Sequence, residues 1–192
     1  MAGVWEKTRS SIRAEIAHTG TGMFLRNGFE QTTVDDIVAE VGISRRSFFR
    51  YFGTKEEIVL GALTERGERV AEAFAARPAS EDPWTAIRNA FSDLEEDDEF
   101  YEDALPIARM LASTPSLRAS MAEKHSRWVQ LLVPILEARL GIASGPIPDP
   151  RAHAIVSAAL ACLHTATDIW VLRDGNADLR ELYDEAVAAI RA

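Results

Sequence analysis

The stretch that decides the fold runs from Gly28 to Lys55 and reads GFEQTTVDDIVAEVGISRRSFFRYFGTK. Thr32 and Thr33 offer hydroxyls at a helix start, and Val34, Ile37, Val38 and Val41 recur at helical spacing, which predicts a short helix from about Thr33 to Val41. Gly42 allows the left-handed backbone of a tight turn. Ser44 caps a second helix in which Phe48 and Phe52, four apart, face one way, leaving Arg45, Arg46, Ser47, Arg50 and Tyr51 to face outward. Two short amphipathic helices around one glycine, with arginines on the outer face of the second, have the layout of a helix-turn-helix.

The same residues resemble the TetR family of bacterial transcriptional regulators. Gly28, Phe29, Thr32, Thr33, Val34, Ile37, Gly42, Ile43, Ser44, Ser47, Phe48, Tyr51, Phe52 and Lys55 match its motif in register and without a gap, over about the first third of the chain. Phe49 departs from the pattern, standing where the family usually has tyrosine, and Val38 and Val41 stand where alanines are common. The resemblance implies an all-α protein. Residues 1–53 would form an N-terminal three-helix helix-turn-helix DNA-binding domain and residues 54–192 a larger helical ligand-binding and dimerisation domain, joined by a helix from about 54 to 76. It also implies a homodimer on a double-stranded, palindromic operator, repressing by default and released by a small, largely apolar effector.

In a helix-turn-helix the second helix enters the major groove, so Ser44 to Tyr51 would carry recognition. Arg45 and Arg46 are candidates for bidentate contact with guanine, flanked by Ser44 and Ser47. By resemblance, and because helix starts present free N–H groups, Thr33, Arg50, Tyr51 and Lys55 are placed at phosphates. A tyrosine at position 49 would reach a phosphate; Phe49 cannot. Either Arg50 or Tyr51 takes over that contact, or the ring packs on sugar edges or a thymine methyl.

The chain has 192 residues, 47% hydrophobic and 27% charged, enough for a substantial core as one large or two small domains. Its net charge of −9 is unevenly spread. Residues 1–55 hold eight Lys/Arg against six Asp/Glu, a net +2, and the remainder thirteen against twenty-four, a net −11. A mildly basic head on an acidic body suits a protein whose body should not stick to DNA, although acidity for solubility alone gives the same numbers. The one cysteine, Cys162, excludes an internal disulfide and reads as an inert core thiol. The longest apolar run, Ala158 to Leu163, is too short to span a bilayer, and the start lacks a signal-peptide core, so the expected location is cytoplasmic with no membrane partner.

Everything else reads as helix. A first helix from about Trp5 to Asn27 contains Gly20 and Gly22, which imply a bend or a close helix approach. Thr54 with Glu57 makes a capping box that opens the linking helix to about Ala76. Trp84, Ile87, Phe91 and Leu94 mark an amphipathic helix running into the acidic run Glu95 to Glu99, a solvated end. Two short helical pieces are expected from Pro106 through Leu117, split near Thr114-Pro115, then one helix from Met121 to Leu140 with a possible kink at Pro134. After a loop over Ile142 to Asp149 come an alanine-rich helix from Pro150 to Arg173 and an amphipathic helix from Leu179.

Those last two helices could join two chains in a four-helix bundle or complete a monomer core; periodicity does not say whose surface is buried. The middle helices carry Trp84, Phe91, Phe100, Tyr101, Met110, His125, Trp128, Leu132, His164, Thr165, Asp168 and Trp170, a set suited to an effector pocket, although each alone also suits ordinary packing. His164 and Asp168, one turn apart, are either the first polar contacts or a simple surface pair. The sequence offers no nucleophile elbow, phosphate-binding glycine loop or histidine pair at metal spacing, so no catalytic residue, metal or cofactor is expected. The rival readings are a helical enzyme, or an interaction module with a vestigial DNA reader.

Overall fold

The computed structural model describes residues 2–92, 103–143, 145, 147 and 149–191, with side chains from residue 9. These form nine helices and no strand: α1 (Ala2–Asn27), α2 (Val34–Val41), α3 (Arg45–Tyr51), α4 (Glu56–Ala76), α5 (Pro83–Ser92), α6 (Ala104–Ser113), α7 (Pro115–Arg139), α8 (Pro150–Leu172) and α9 (Leu179–Arg191). The acidic run Glu95 to Glu99, Phe100 and Tyr101 lie outside the described residues.

Local chemistry fixes the reading pair. Thr33 caps α2 by accepting from the Asp36 N–H at 3.1 Å, and the Asp36 carboxylate reaches back to the Thr33 N–H at 2.8 Å, completing a capping box. Gly42 ends α2 at φ +74, and both its own N–H and that of Ile43 bond the Val38 carbonyl at 3.0 Å. Ser44 then caps α3 by accepting from the Ser47 N–H at 3.1 Å. Behind the pair, Ile16, Phe24, Phe29, Ile37, Phe48 and Phe52 form the head's core. Gly20 belongs to a close approach: a methyl there would meet the Ile58 side chain of α4 at 3.0 Å.

Three expectations are corrected. The split expected near Thr114-Pro115 is present, with α6 ending at Ser113 and Pro115 in the first turn of α7, where its missing N–H has no intrahelical partner to lose. No separate helix starts at Met121, because α7 runs on unbroken from Pro115 to Arg139. α6 likewise starts at Ala104 and carries Pro106 in its first turn. The box expected to open α4 is shifted: Thr54 accepts from the Glu57 N–H at 3.3 Å, but Glu57 reaches back to the Gly53 N–H at 2.8 Å, and α4 starts at Glu56.

The body packs around α4, α7 and α8, with Phe74, Ile87, Trp128, Leu132, Leu136 and Leu160 in its core. Arg139 of α7 donates to the carbonyls of Arg77 at 2.9 Å and Pro78 at 2.7 Å, tying down the turn between α4 and α5. Buried Glu137 accepts from the Asp149 N–H at 2.8 Å and sets the start of α8. Head and body are not insulated from each other. Ile58 and Val59 of α4, Ile107 and Met110 of α6 and Leu117 of α7 are all buried in the head's cluster.

Candidate nucleic-acid interface and ligand cavity

The outer side of α3 is open. Ser44, Arg45, Arg46, Phe49 and Arg50 are exposed, Ser47 and Tyr51 half-buried, while Phe48 beneath them is fully buried. Phe49 is 46% exposed, its ring set edge-on to Phe48 at 5.3 Å between centroids. Arg46 has no bonded partner among the described residues. Arg45 does: its Nη1 donates to both carboxylate oxygens of Asp35 at 2.9 Å. Arg50 lies over the Tyr51 ring and donates to its hydroxyl at 3.3 Å.

Two residues assigned to phosphates hold the scaffold as well. Thr33 is the α2 cap, and its hydrogen bonds keep the Asp36 carboxyl below the usual range. Lys55 donates to the carbonyls of Phe29 at 2.7 Å and Thr32 at 3.1 Å, with its ammonium 4.2 Å from the Phe29 ring centre. An ammonium has three donors, so one remains for a phosphate. The surface thus presents cations and one aromatic ring on a rigid helix whose ends are closed.

Above the head, a cavity of about 670 Å³ lies between α4, α5, α6, α7 and α8 and the start of α9. Of the expected set, Phe91, Trp128, His164 and Trp170 line it. Trp84 packs against the body core, Leu132 is buried within it, and Met110 belongs to the head's core instead. His125 stacks on His164 at 5.4 Å without reaching the cavity. Thr165 and Asp168 are exposed on another side of α8, because at roughly 100° per residue they fall far from Leu163, Thr167 and Trp170, which face inward. The polar pair expected of His164 and Asp168 therefore does not form in the cavity.

The cavity also holds cations that sequence reasoning passed over. Lys124 of α7 and Arg66 of α4 line it, and the Lys124 ammonium sits 4.6 Å from the centre of the Trp128 ring. Burial, then repulsion from Arg66, lowers Lys124 to about 8. Burial, with Lys124 and His125 nearby, lowers His164 to about 4 against a weaker pull from Asp168. The available signal was spacing: Leu117, Met121, Lys124 and Trp128 follow one another by four, three and four along one stripe of α7.

Ile107 joins the two sites, since it is buried in the head's core and also lines the cavity. The buried cluster that holds Phe48 of α3 therefore extends to the cavity wall.

Comparison with known proteins agrees with this arrangement. Residues 16–62 match the family described as bacterial regulatory proteins, tetR family, and residues 81–192 match the MftR C-terminal domain. The chain is 29% identical over 199 residues to the HTH-type transcriptional regulator TcmR of Streptomyces glaucescens, covering 98% of this chain and 87% of that protein. It is 24% identical to MftR of Mycobacterium tuberculosis, covering 97% and 92%. The fold is similar to Thermus thermophilus FadR, a TetR-family repressor solved with lauroyl-CoA, at a TM-score of 0.57 and 20% identity over 92% of this chain and 91% of that one. Bacillus subtilis FadR, solved with stearoyl-CoA, gives 0.56 and 20% over 90% and 94%. With a capped helix-turn-helix at its head, a cavity in its helical body and both segments matched, the chain belongs to the TetR family of bacterial transcriptional regulators.

Proposed function

We propose that the protein is a homodimeric repressor that sets two copies of α3 into successive major grooves of a palindromic operator, and that a small, largely apolar effector in the cavity releases it. The observation that carries this reading is the shared packing of Ile107, which makes the wall of the cavity part of the head's core. A ligand that favours one placement of that wall changes the spacing of the two readers, and a tenfold loss of operator affinity requires only about 1.4 kcal/mol of such preference. The head, residues 1–53, then reads, and the body, residues 54–192, joins and senses. The acyl-CoA complexes of the two FadR proteins are consistent with an apolar-tailed effector in this fold.

Support for the dimer comes from α8. This helix is long and apolar enough to cross a membrane, with a mean hydropathy of 1.6, yet only 28% of that apolar window is buried in the single chain. Ala154, Ala158, Ala161, Thr165, Asp168 and Leu172, spaced by four and three, form a seam turned away from the cavity side, with Leu172 78% exposed. Small side chains at that spacing let a second helix approach closely, and a bundle of two α8–α9 pairs covers the seam. Such a regulator works in the cytoplasm, where its operator is.

Selection of bound fragments from a random duplex pool tests the reading. A palindrome with half-sites about one helical turn apart is the expected product. An unrelated set of fragments, or binding that survives combined Arg45→Ala and Arg46→Ala in a folded protein, rules it out.

A further inference from the structure

The cavity has walls of two chemistries. Phe91, Ile107, Leu163 and Trp170 make an apolar interior, whereas three cations also line it: Arg180 of α9, and the pair formed by Lys124 of α7 and Arg66 of α4. Neither Lys124 nor Arg66 has an ion pair with a described residue. The described acid that lines the cavity, Asp178, is committed elsewhere: its Oδ1 accepts from the backbone N–H groups of Arg180 at 2.7 Å and Glu181 at 3.2 Å. His125 and His164 are both pushed toward the neutral form by burial, and then by the Lys124 charge. Two half-buried cations that repel each other and have no counter-ion among the described residues are costly in such surroundings, and an anion between them removes the cost.

We infer that the effector is an amphiphilic anion, its charged head seated between Lys124 and Arg66 and its apolar body against Phe91, Leu163 and Trp170. The inference deepens the effector reading above and rests on it. It also supplies the coupling. Arg66 rides on α4, the helix that follows the reader, so a head group held by both cations favours one placement of α4 against α7. Release then depends on the charge of the ligand as well as its bulk.

Calorimetric titration of the full chain with dodecanoate, dodecyl phosphate and dodecan-1-ol at neutral pH tests this. Tails are equal, so the head group alone differs. The expected result is that at least one anion binds about tenfold or more tighter than the alcohol, with the carboxylate and phosphate arms showing which head is preferred. That preference should shrink toward unity in Lys124→Met, weaken in Arg66→Gln and return in Lys124→Arg. Because the anion-to-alcohol ratio is taken within each variant, a partial loss of folded protein does not mimic the effect. Equal binding of anions and alcohol overturns the inference and leaves the apolar cavity standing. Binding of none of the three overturns both readings, and an anion preference that survives Lys124→Met overturns the assignment to this pair.

Discussion

Nη1 of Arg45 lies 2.9 Å from each carboxylate oxygen of Asp35, so the first helix of the reading pair holds a cation of the second. Their side chains are 60% and 66% exposed, and such pairs contribute only about 0–1 kcal/mol. Bidentate contact with guanine discriminates by about 1–3 kcal/mol, so on the proposed reading a matched operator turns Arg45 away from Asp35 and a mismatched one does not. Asp35→Ala should therefore tighten binding to random DNA more than to the operator and steepen the salt dependence by roughly one phosphate contact. Anisotropy titrations at several salt concentrations read this directly. An unchanged slope on random duplex would show that Arg45 reaches no phosphate there, with or without Asp35.

Phe49 carries the second prediction. Its ring is half exposed on the reading face and already fixed edge-on against Phe48, so a hydroxyl at its tip enters solvent or meets a phosphate without disturbing the core. A net hydrogen bond is worth about 0.5–1.5 kcal/mol, so Phe49→Tyr should raise operator affinity by roughly two- to tenfold at fixed salt, with little change in melting temperature. A loss of affinity would mean that the bare ring makes an apolar contact which the hydroxyl spoils.

The third concerns Gly67, where α4 and α7 touch. The Trp128 indole lies flat on this glycine and donates from Nε1 to the Leu63 carbonyl at 3.2 Å, and a methyl built on Gly67 would overlap the ring. Gly67→Ala must move a buried tryptophan that is also a cavity wall. Overpacking of this kind costs about 1–3 kcal/mol, or roughly 2–4 °C of melting temperature per kcal/mol in a protein of this size. By contrast Gly42→Ala, with open space around its Cβ, should cost only the left-handed backbone, about 1–2 kcal/mol. Thermal unfolding together with dodecanoate titration separates the two: only Gly67→Ala should also alter ligand binding.

What the sequence made legible follows from how local each cause is. Thr33, Gly42 and Ser44 act within three or four residues of themselves, so the reading pair could be placed to within a residue. Pro115 marked the break, but the same proline that bars the preceding residue from a helix is a good first residue for the next, so the piece after it is the start of α7 and not a helix apart from it. The cavity was half legible. Aromatic residues on middle helices marked Phe91, Trp128 and Trp170, but α8 is apolar nearly all round, so its period gives the spacing of its faces without saying which one meets the cavity. Thr165 and Asp168 fell on the wrong arc for that reason. Lys124 was missed because a lysine on a helix ordinarily reads as a solvated charge, and only α4 packing across α7 makes it a wall.

The last prediction is a pH dependence of stability. His164 is held to about 4 in the folded chain, mainly by burial, against an ordinary 6.5 when unfolded. Between those values the unfolded chain binds a proton that the folded chain refuses, so stability is intact above about 6.5 and falls as pH drops through the window. His125 is shifted in the same direction. The carboxylates held low by hydrogen bonds, Glu81, Asp36 and Asp149, lose their contributions as pH falls through their ordinary values of 4.5 and 3.8 and below, so the interval from about 7 to 5 reports chiefly the histidines. Melting temperature should decline on acidification across that interval, and the decline should be shallower in His164→Gln. Saturating dodecanoate should also flatten it, because an anion beside Lys124 offsets the charge that adds to burial in lowering His164. Parallel curves for wild type and His164→Gln would show that the ring finds water when protonated and that the cavity is wetter than its apolar walls imply.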